Sequence, residues 1–302
     1  MESKLILASV MADLKEKNLM PKRIDLSKIG ERYWCVVSDY DADFFSVINE
    51  DVTTGFSNEK ETAVLKALSE RAERKAFIQG FRYNLSACQT ERSDGFAAMP
   101  SCIDRNVVRQ NALNEAIERY VWAYWWDHIE IAYEKTEVDW DSQVIQNSAY
   151  LKEAFLKLDL EKIFIIEPRV FKTEKAVVIL FAQVRDRGFI SGGASSLRSN
   201  GQEIFLRAFD ELFRHGFAYG RSFEKNIHAK SFYEKRLQFF ASGLGNFIVE
   251  DRLNIAGTKE IVLPDLKIDS EVPSLLQGFN VHRCYFENQP PFVGGNLERL
   301  CL

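Results

Sequence analysis

The chain has 302 residues, 46% hydrophobic and 27% charged, with a formal net charge of −5 and no long lysine–arginine block. That length buries a sizeable core, the composition is that of a soluble globular protein, and the missing basic block argues against a nucleic-acid footprint. Five Cys without a CxxC pair and four His without HExxH spacing point to neither a disulfide framework nor a zinc site, and fit a reducing cytoplasm.

In chain order, the apolar run within 1–17 is closely bracketed by charges and too short for a signal peptide. Residues 33–38 and 44–48 read as strands across an acidic turn at 39–43. Helical periods follow near 59–79 and 105–126. Residues 163–166, 169–172 and 176–184 read as strands, the last two as a hairpin turning at 173–175. The run 176–182 is the longest apolar stretch and is too short to span a bilayer, so no membrane is expected. Helical periods near 200–217 and 228–242 come next, then short strands at 247–250, 260–263 and 281–286. Strands mixed with helices predict an α/β or α+β fold in a single domain, 1–302. Tyr120, Trp122, Tyr124, Trp125 and Trp126 on the second helix belong to core or to a contact between copies, and a homodimer is the expectation.

Three segments share one plan, a glycine-bearing turn followed by a helix with an acidic signature. Gly55 leads to Ala67-Leu68-Ser69-Glu70-Arg71-Ala72-Glu73-Arg74, and Gly95 to Ala112-Leu113-Asn114-Glu115-Ala116-Ile117-Glu118-Arg119. Gly193 leads to Ala208-Phe209-Asp210-Glu211. On a helix, positions i and i+3 are neighbours on one face, so Glu70 with Glu73 and Glu115 with Glu118 each set two carboxylates side by side. Such pairs repel unless a cation lies between them, and half-buried carboxylates need partners. Oxygen-only clusters without His or Cys suit a hard cation such as Mg²⁺, and arginines on the same helices, Arg119 and Arg207, suit phosphate. The competing reading is a solvated, salt-bridged helix face. There is no Walker loop and no dinucleotide glycine fingerprint. Neither full copy carries the Glu-x-x-His of a di-iron bundle.

The ordered set Ser69-Glu70-x-x-Glu73-Arg74, Asn114-Glu115-x-x-Glu118-Arg119 and Arg207-x-x-x-Glu211, with the run Ser93-Asp94-Gly95, resembles the YcaO family. The likeness covers roughly residues 55 to 240 and includes His228 and Tyr233. It implies an α/β ATP-binding fold in which Glu73, Glu118 and Glu211 hold Mg²⁺. Glu70, Glu115 and Ser93 would lie close to the nucleotide, and Arg119 and Arg207 would meet its phosphates. The implied activity is ATP-dependent phosphorylation of a backbone amide in a peptide or protein, leading to an azoline or a thioamide. The implied partners are that substrate and a separate leader-peptide-recognition protein. Asp94 stands where the family carries Asn, Val107 where it carries an acid, and the C-terminal residues 296–302 lack a proline-rich tail. These departures keep open a non-catalytic nucleotide- or peptide-binding subunit, and beyond it an unrelated interaction protein.

Overall fold

The computed structural model describes residues 2–39, 52–82, 94–197, 201–224, 232–274, 276–292 and 297–299. The described elements, in chain order, begin with α1 (Glu2–Glu16), β1 (Arg23–Ile29), β2 (Arg32–Ser38), β3 (Val52–Ser57), α2 (Lys60–Arg82) and β4 (Gly95–Pro100). Then come α3 (Arg105–Asp127), β5 (Tyr133–Asp139), α4 (Gln143–Gln146), α5 (Ala149–Lys157), β6 (Leu160–Pro168), β7 (Lys175–Val184) and β8 (Phe189–Leu197). The chain continues through α6 (Gly201–Glu224), α7 (Phe232–Ala241), α8 (Asn246–Asn254), β9 (Leu266–Val272) and β10 (Phe279–Phe286). The architecture is mixed α/β with three antiparallel sheets, ordered β1-β2-β3, β4-β10-β9 and β5-β6-β7-β8. Among the described residues no helix is long and apolar enough to cross a membrane.

The chain forms two compact units. The first holds α1, α2, β1 to β4, α3 as far as Leu113, β9, and β10 as far as Tyr285. Its meander runs β1-β2-β3 in continuous register, Tyr33 pairing both Lys28 and Ser57. Helix α2 lies on that sheet through a buried stripe, Ala63, Ala67, Leu68, Ala72 and Ala76, which repeats at helical spacing. Cys35, Val37, Phe96, Ala98, Phe279 and Val281 complete this core.

The second unit holds α3 from Asn114, β5 to β8, α4 to α8 and the segment from Phe286 onward. Its meander is β5-β6-β7-β8, and α6 packs on β7 and β8 with Ile204, Phe205, Ala208, Phe209, Leu212 and Phe213 buried. The aromatic cluster of α3 fills this core. Trp122 and Trp125 are fully buried, and Trp126 packs on Phe181 at 5.8 Å between centroids. Four of the five rings that favoured a homodimer, Tyr120 and the three Trp, are therefore enclosed within the second unit.

The three glycines expected in turns lie in strands instead: Gly55 in β3, Gly95 in β4 and Gly193 in β8. A Cβ on Gly55 would sit 2.2 Å from the Ala63 carbonyl oxygen, and one on Gly192 2.3 Å from that of Ala208. Glycine at these positions lets a helix backbone press onto the strand. Residues 169–172 are not a strand: Lys172 has φ 47°, and Val170 makes only an isolated parallel bridge to Ile261. That same single bridge is all the strand character of 260–263. Residues 247–250 belong to α8, a short helix that an apolar run of four cannot distinguish from a strand. The expected strand 44–48 lies outside the described residues.

Candidate functional site

Helix α3 buries Ala112, Ala116, Ile117 and Val121, which leaves Glu115, Glu118 and Arg119 together on its other side. Helix α6 is buried over most of its girth, and its narrow polar strip carries Arg207, Glu211, Arg214 and the buried His215. Within the second unit these two strips supply the charges that act on Glu118. Burial first, then the Glu115 and Glu211 carboxylates, push the Glu118 carboxyl up to about 8, with Arg119 and Arg207 only partly offsetting them. Among the described residues no hydrogen bond or ion pair reaches that carboxyl. Strand β8 makes room for it, since a Cβ on Gly193 would come 3.4 Å from Glu118 Oε1 and 2.7 Å from the Trp122 ring.

The neighbouring groups are held from the strands. Lys175 Nζ at the start of β7 donates to Asn114 Oδ1 at 2.8 Å, and Ser195 Oγ in β8 donates to the Asn114 carbonyl. Burial, with the nearby Arg207 charge, holds Lys175 below its ordinary pKa. Arg207 Nη1 donates a long bond, 3.4 Å, to the Ser195 carbonyl. Arg119 pairs with Glu115 across one helical turn, and its guanidinium lies 5.7 Å from the Phe292 ring centroid. Glu211 accepts from Arg214 and lies 3.2 Å from His215 Nε2. The opposite nitrogen, Nδ1, can only donate to the Ser191 carbonyl at 2.8 Å, which fixes the ring with Nε2 toward the carboxylate.

Five of the predicted residues, Glu115, Glu118, Arg119, Arg207 and Glu211, thus belong to one mutually interacting group in the second unit. Glu70 and Glu73 stand on α2 in the first unit, where Glu70 is tied to the fold. Its Oε2 accepts from Thr54 N at 2.7 Å, and its Oε1 accepts from Arg74, whose Nη1 also reaches the Val52 carbonyl at 2.9 Å. Glu73 is half-buried on the same helix. Ser93 and His228 lie outside the described residues, and Tyr233 falls in α7. Asp94 does not present a charge to solvent: it is 1% exposed and paired with Arg283, itself 2% exposed. Val107 is 45% exposed in the first turn of α3.

The sequence reading missed Lys175 and His215 and gave Asn114 no role. For Asn114 a signal existed, because both full motif copies place a small polar residue, Ser69 or Asn114, ahead of the first Glu. Lys175 had none, since only the meander brings β7 to α3.

The group fits a divalent cation. Three carboxylates without a cation between them leave one unable to ionise fully near neutrality, and the donors are oxygens of the kind Mg²⁺ takes. Flanking Lys and Arg suit phosphate oxygens.

No family model and no curated protein matches the chain by sequence. Solved structures do match. The YcaO of Methanopyrus kandleri, bound with AMPPCP and Mg²⁺, superposes with a TM-score of 0.58 over 96% of this chain and 92% of its own, at 14% identity. A chain of the E. coli microcin synthetase McbBCD complex with pro-MccB17 bound gives a TM-score of 0.60 over 88% of this chain and 87% of its own, at 9% identity. Another structure of the E. coli microcin synthetase McbBCD complex gives a TM-score of 0.58 over 88% of this chain and 87% of its own, at 9% identity. Two antiparallel meanders, each delivering its last strand to a long helix with a glutamate strip, are here the YcaO fold.

Proposed function

We propose that this chain is an ATP- and Mg²⁺-dependent enzyme that activates a backbone amide of a peptide or protein. One observation carries the reading: the Glu115, Glu118 and Glu211 group of the second unit, flanked by Arg119, Arg207 and Lys175, with Glu118 held near 8. Glu118 and Glu211 hold the metal, and its charge relieves the repulsion that raises Glu118. Arg207, which among the described residues makes a long bond to Ser195, turns to phosphate, and Lys175 adds a second cation beside it. Arg119 serves phosphate after exchanging Glu115. Glu70, Glu73 and Ser93 keep the nucleotide and metal roles that the resemblance gives them, on sequence alone.

When bound, the nucleotide supplies the phosphoryl group that makes an amide oxygen a leaving group, so that a thiol, a hydroxyl or an external sulfur donor yields an azoline or a thioamide. The protein's share is positioning and charge neutralisation, the two things phosphoryl transfer needs most. The M. kandleri YcaO bound with AMPPCP and Mg²⁺ supports the ligand pair, and the McbBCD complex with pro-MccB17 bound supports a peptide substrate and partner proteins. The free thiols Cys35, Cys102 and Cys284 support the cytoplasmic location that we infer from the sequence. Since the aromatic rings of α3 lie within the second unit, a homodimer rests on the sequence alone and light scattering decides it.

The test is titration calorimetry with a non-hydrolysable ATP analogue and Mg²⁺ on the wild type and on Glu118→Ala. Metal-dependent binding lost in the variant supports the reading, and a folded wild type that binds nothing overturns it. A non-catalytic subunit is the second reading, favoured by the exposed Val107 where the resembled family carries an acid. Binding without phosphate release in the presence of substrate peptide would select it.

A further inference from the structure

We infer that Asp269, His282 and Cys284 form a binding site for a thiophilic divalent metal of the zinc type in the first unit, independent of the nucleotide site proposed above. His282 and Cys284 are two apart on β10, so they share one sheet face. The opposite face of that strand carries Phe279 and Val281 into the hydrophobic core. Ala97 and Gly95 on β4 stand directly across from His282 and Cys284 in the ladder, and their small size leaves that face uncrowded. Asp269 comes from β9, next to β10 in the same sheet. His282 Nε2 lies 2.7 Å and Cys284 Sγ 3.8 Å from Asp269 Oδ1, and the three candidate ligand atoms all fall within 4.8 Å of one another.

Zinc ligand atoms at about 2.0–2.3 Å from the ion stand roughly 3–4 Å apart, so the ion replaces the His282–Asp269 hydrogen bond with small side-chain adjustments. The donor set selects the metal: a thiolate and an imidazole favour zinc or cobalt over Mg²⁺ or Ca²⁺. Asp269 and the Cys284 thiolate together neutralise a dication. Arg109 on α3 donates to both oxygens of Asp269, with Nε 2.9 Å from each, and so orients the carboxylate from outside the ligand sphere. Entry is open from the aspartate side, where Asp269 is 28% and Arg109 44% exposed. Binding forms one bond from the ion to each of Oδ1, Nε2 and Sγ. The thiol proton passes to solvent, and the imidazole presents the Nε2 lone pair with its proton on Nδ1. A fourth position stays for water or an exogenous ligand.

The experiment is a Co²⁺ titration of the full chain under a non-thiol reductant and without nucleotide, read by absorbance. The expected result is a saturable one-to-one signal with a thiolate-to-cobalt charge-transfer band, displaced by Zn²⁺. Cys284→Ser loses the band, Asp269→Asn and His282→Gln weaken binding, and Arg109→Ala weakens it by about 10–100-fold as a second-layer partner does. Absence of the band in the wild type overturns the site, as does a band that survives in Cys284→Ser or disappears only in Cys102→Ser. If Cys284→Ser does not fold, His282→Gln decides: wild-type affinity in that variant overturns the site, and lost affinity supports it.

Discussion

The two units treat their acidic side chains in opposite ways. In the first, Glu70 accepts from Thr54 N and Arg74, Asp39 from Arg71 and Lys75, and buried Asp94 from Arg283. Each of these three carboxylates has a fixed cation, and against the opposing effect of burial the Arg71 and Lys75 hydrogen bonds hold the Asp39 carboxyl below its ordinary range. In the second, Glu118 faces Glu115 and Glu211, and the arginines nearby do not fully compensate. Both units present a glycine-relieved strand to a long helix, and both helical motifs read Glu-x-x-Glu-Arg. The same letters are therefore met by a hydrogen-bonded cation at Glu70 and by an under-compensated carboxylate at Glu118. The deciding difference is whether each carboxylate has a cation hydrogen-bonded to it, which Glu118 lacks among the described residues.

The sharpest way to break this comparison is to unmatch a pair in the first unit. Asp94→Asn restores the residue typical of the resembled family, yet it leaves the Arg283 guanidinium buried without its counter-charge. A loss of about 3–5 kcal/mol in urea unfolding is expected. A neutral outcome would mean that the pair is not what holds this end of β4 to β10. Glu70→Ala follows, because it leaves Thr54 N without its acceptor and takes the carboxylate from Arg74 at the β3–α2 junction. The expected loss is about 1–3 kcal/mol in the same assay. If Glu70→Ala instead left stability untouched, whatever it did to nucleotide binding, the division between the units would fail. In the second unit Lys175→Met removes the bond to Asn114 Oδ1 and costs about 1 kcal/mol, while its larger effect should be weaker binding of the ATP analogue in calorimetry.

How much of this was legible follows the same physics. Helices α2, α3 and α6 were readable because their apolar stripes repeat over many turns. Strands β3, β4 and β8 were not, because Gly55, Gly95 and Gly193 look like turn punctuation while the space at Gly55 and Gly192 is filled by a helix backbone. The carboxylates were legible from i, i+3 spacing, but spacing alone gave Glu70 and Glu118 the same meaning. Only the surrounding donors separate them. Asp269, His282 and Cys284 have no motif spacing at all, and it is the pairing of β9 with β10 that assembles them.

The smallest expected effect is also the most specific to the second unit. Glu118 has an ordinary value of 4.5 and is raised to about 8 in the folded chain. Between those values the folded state holds a proton that the unfolded state has released, so stability falls as pH rises across this window. Glu118→Gln should flatten that fall and raise stability at its alkaline end by on the order of 1 kcal/mol. Denaturant midpoints at the two ends of the window measure it. Mg²⁺ with a non-hydrolysable ATP analogue should flatten the wild-type profile in the same way, since a cation among the carboxylates keeps Glu118 ionised. The two treatments should not add. If the ligand still stabilised Glu118→Gln to the full wild-type extent, the cation would sit elsewhere, and the unmatched carboxylates would be a strain of the fold rather than the seat of the metal.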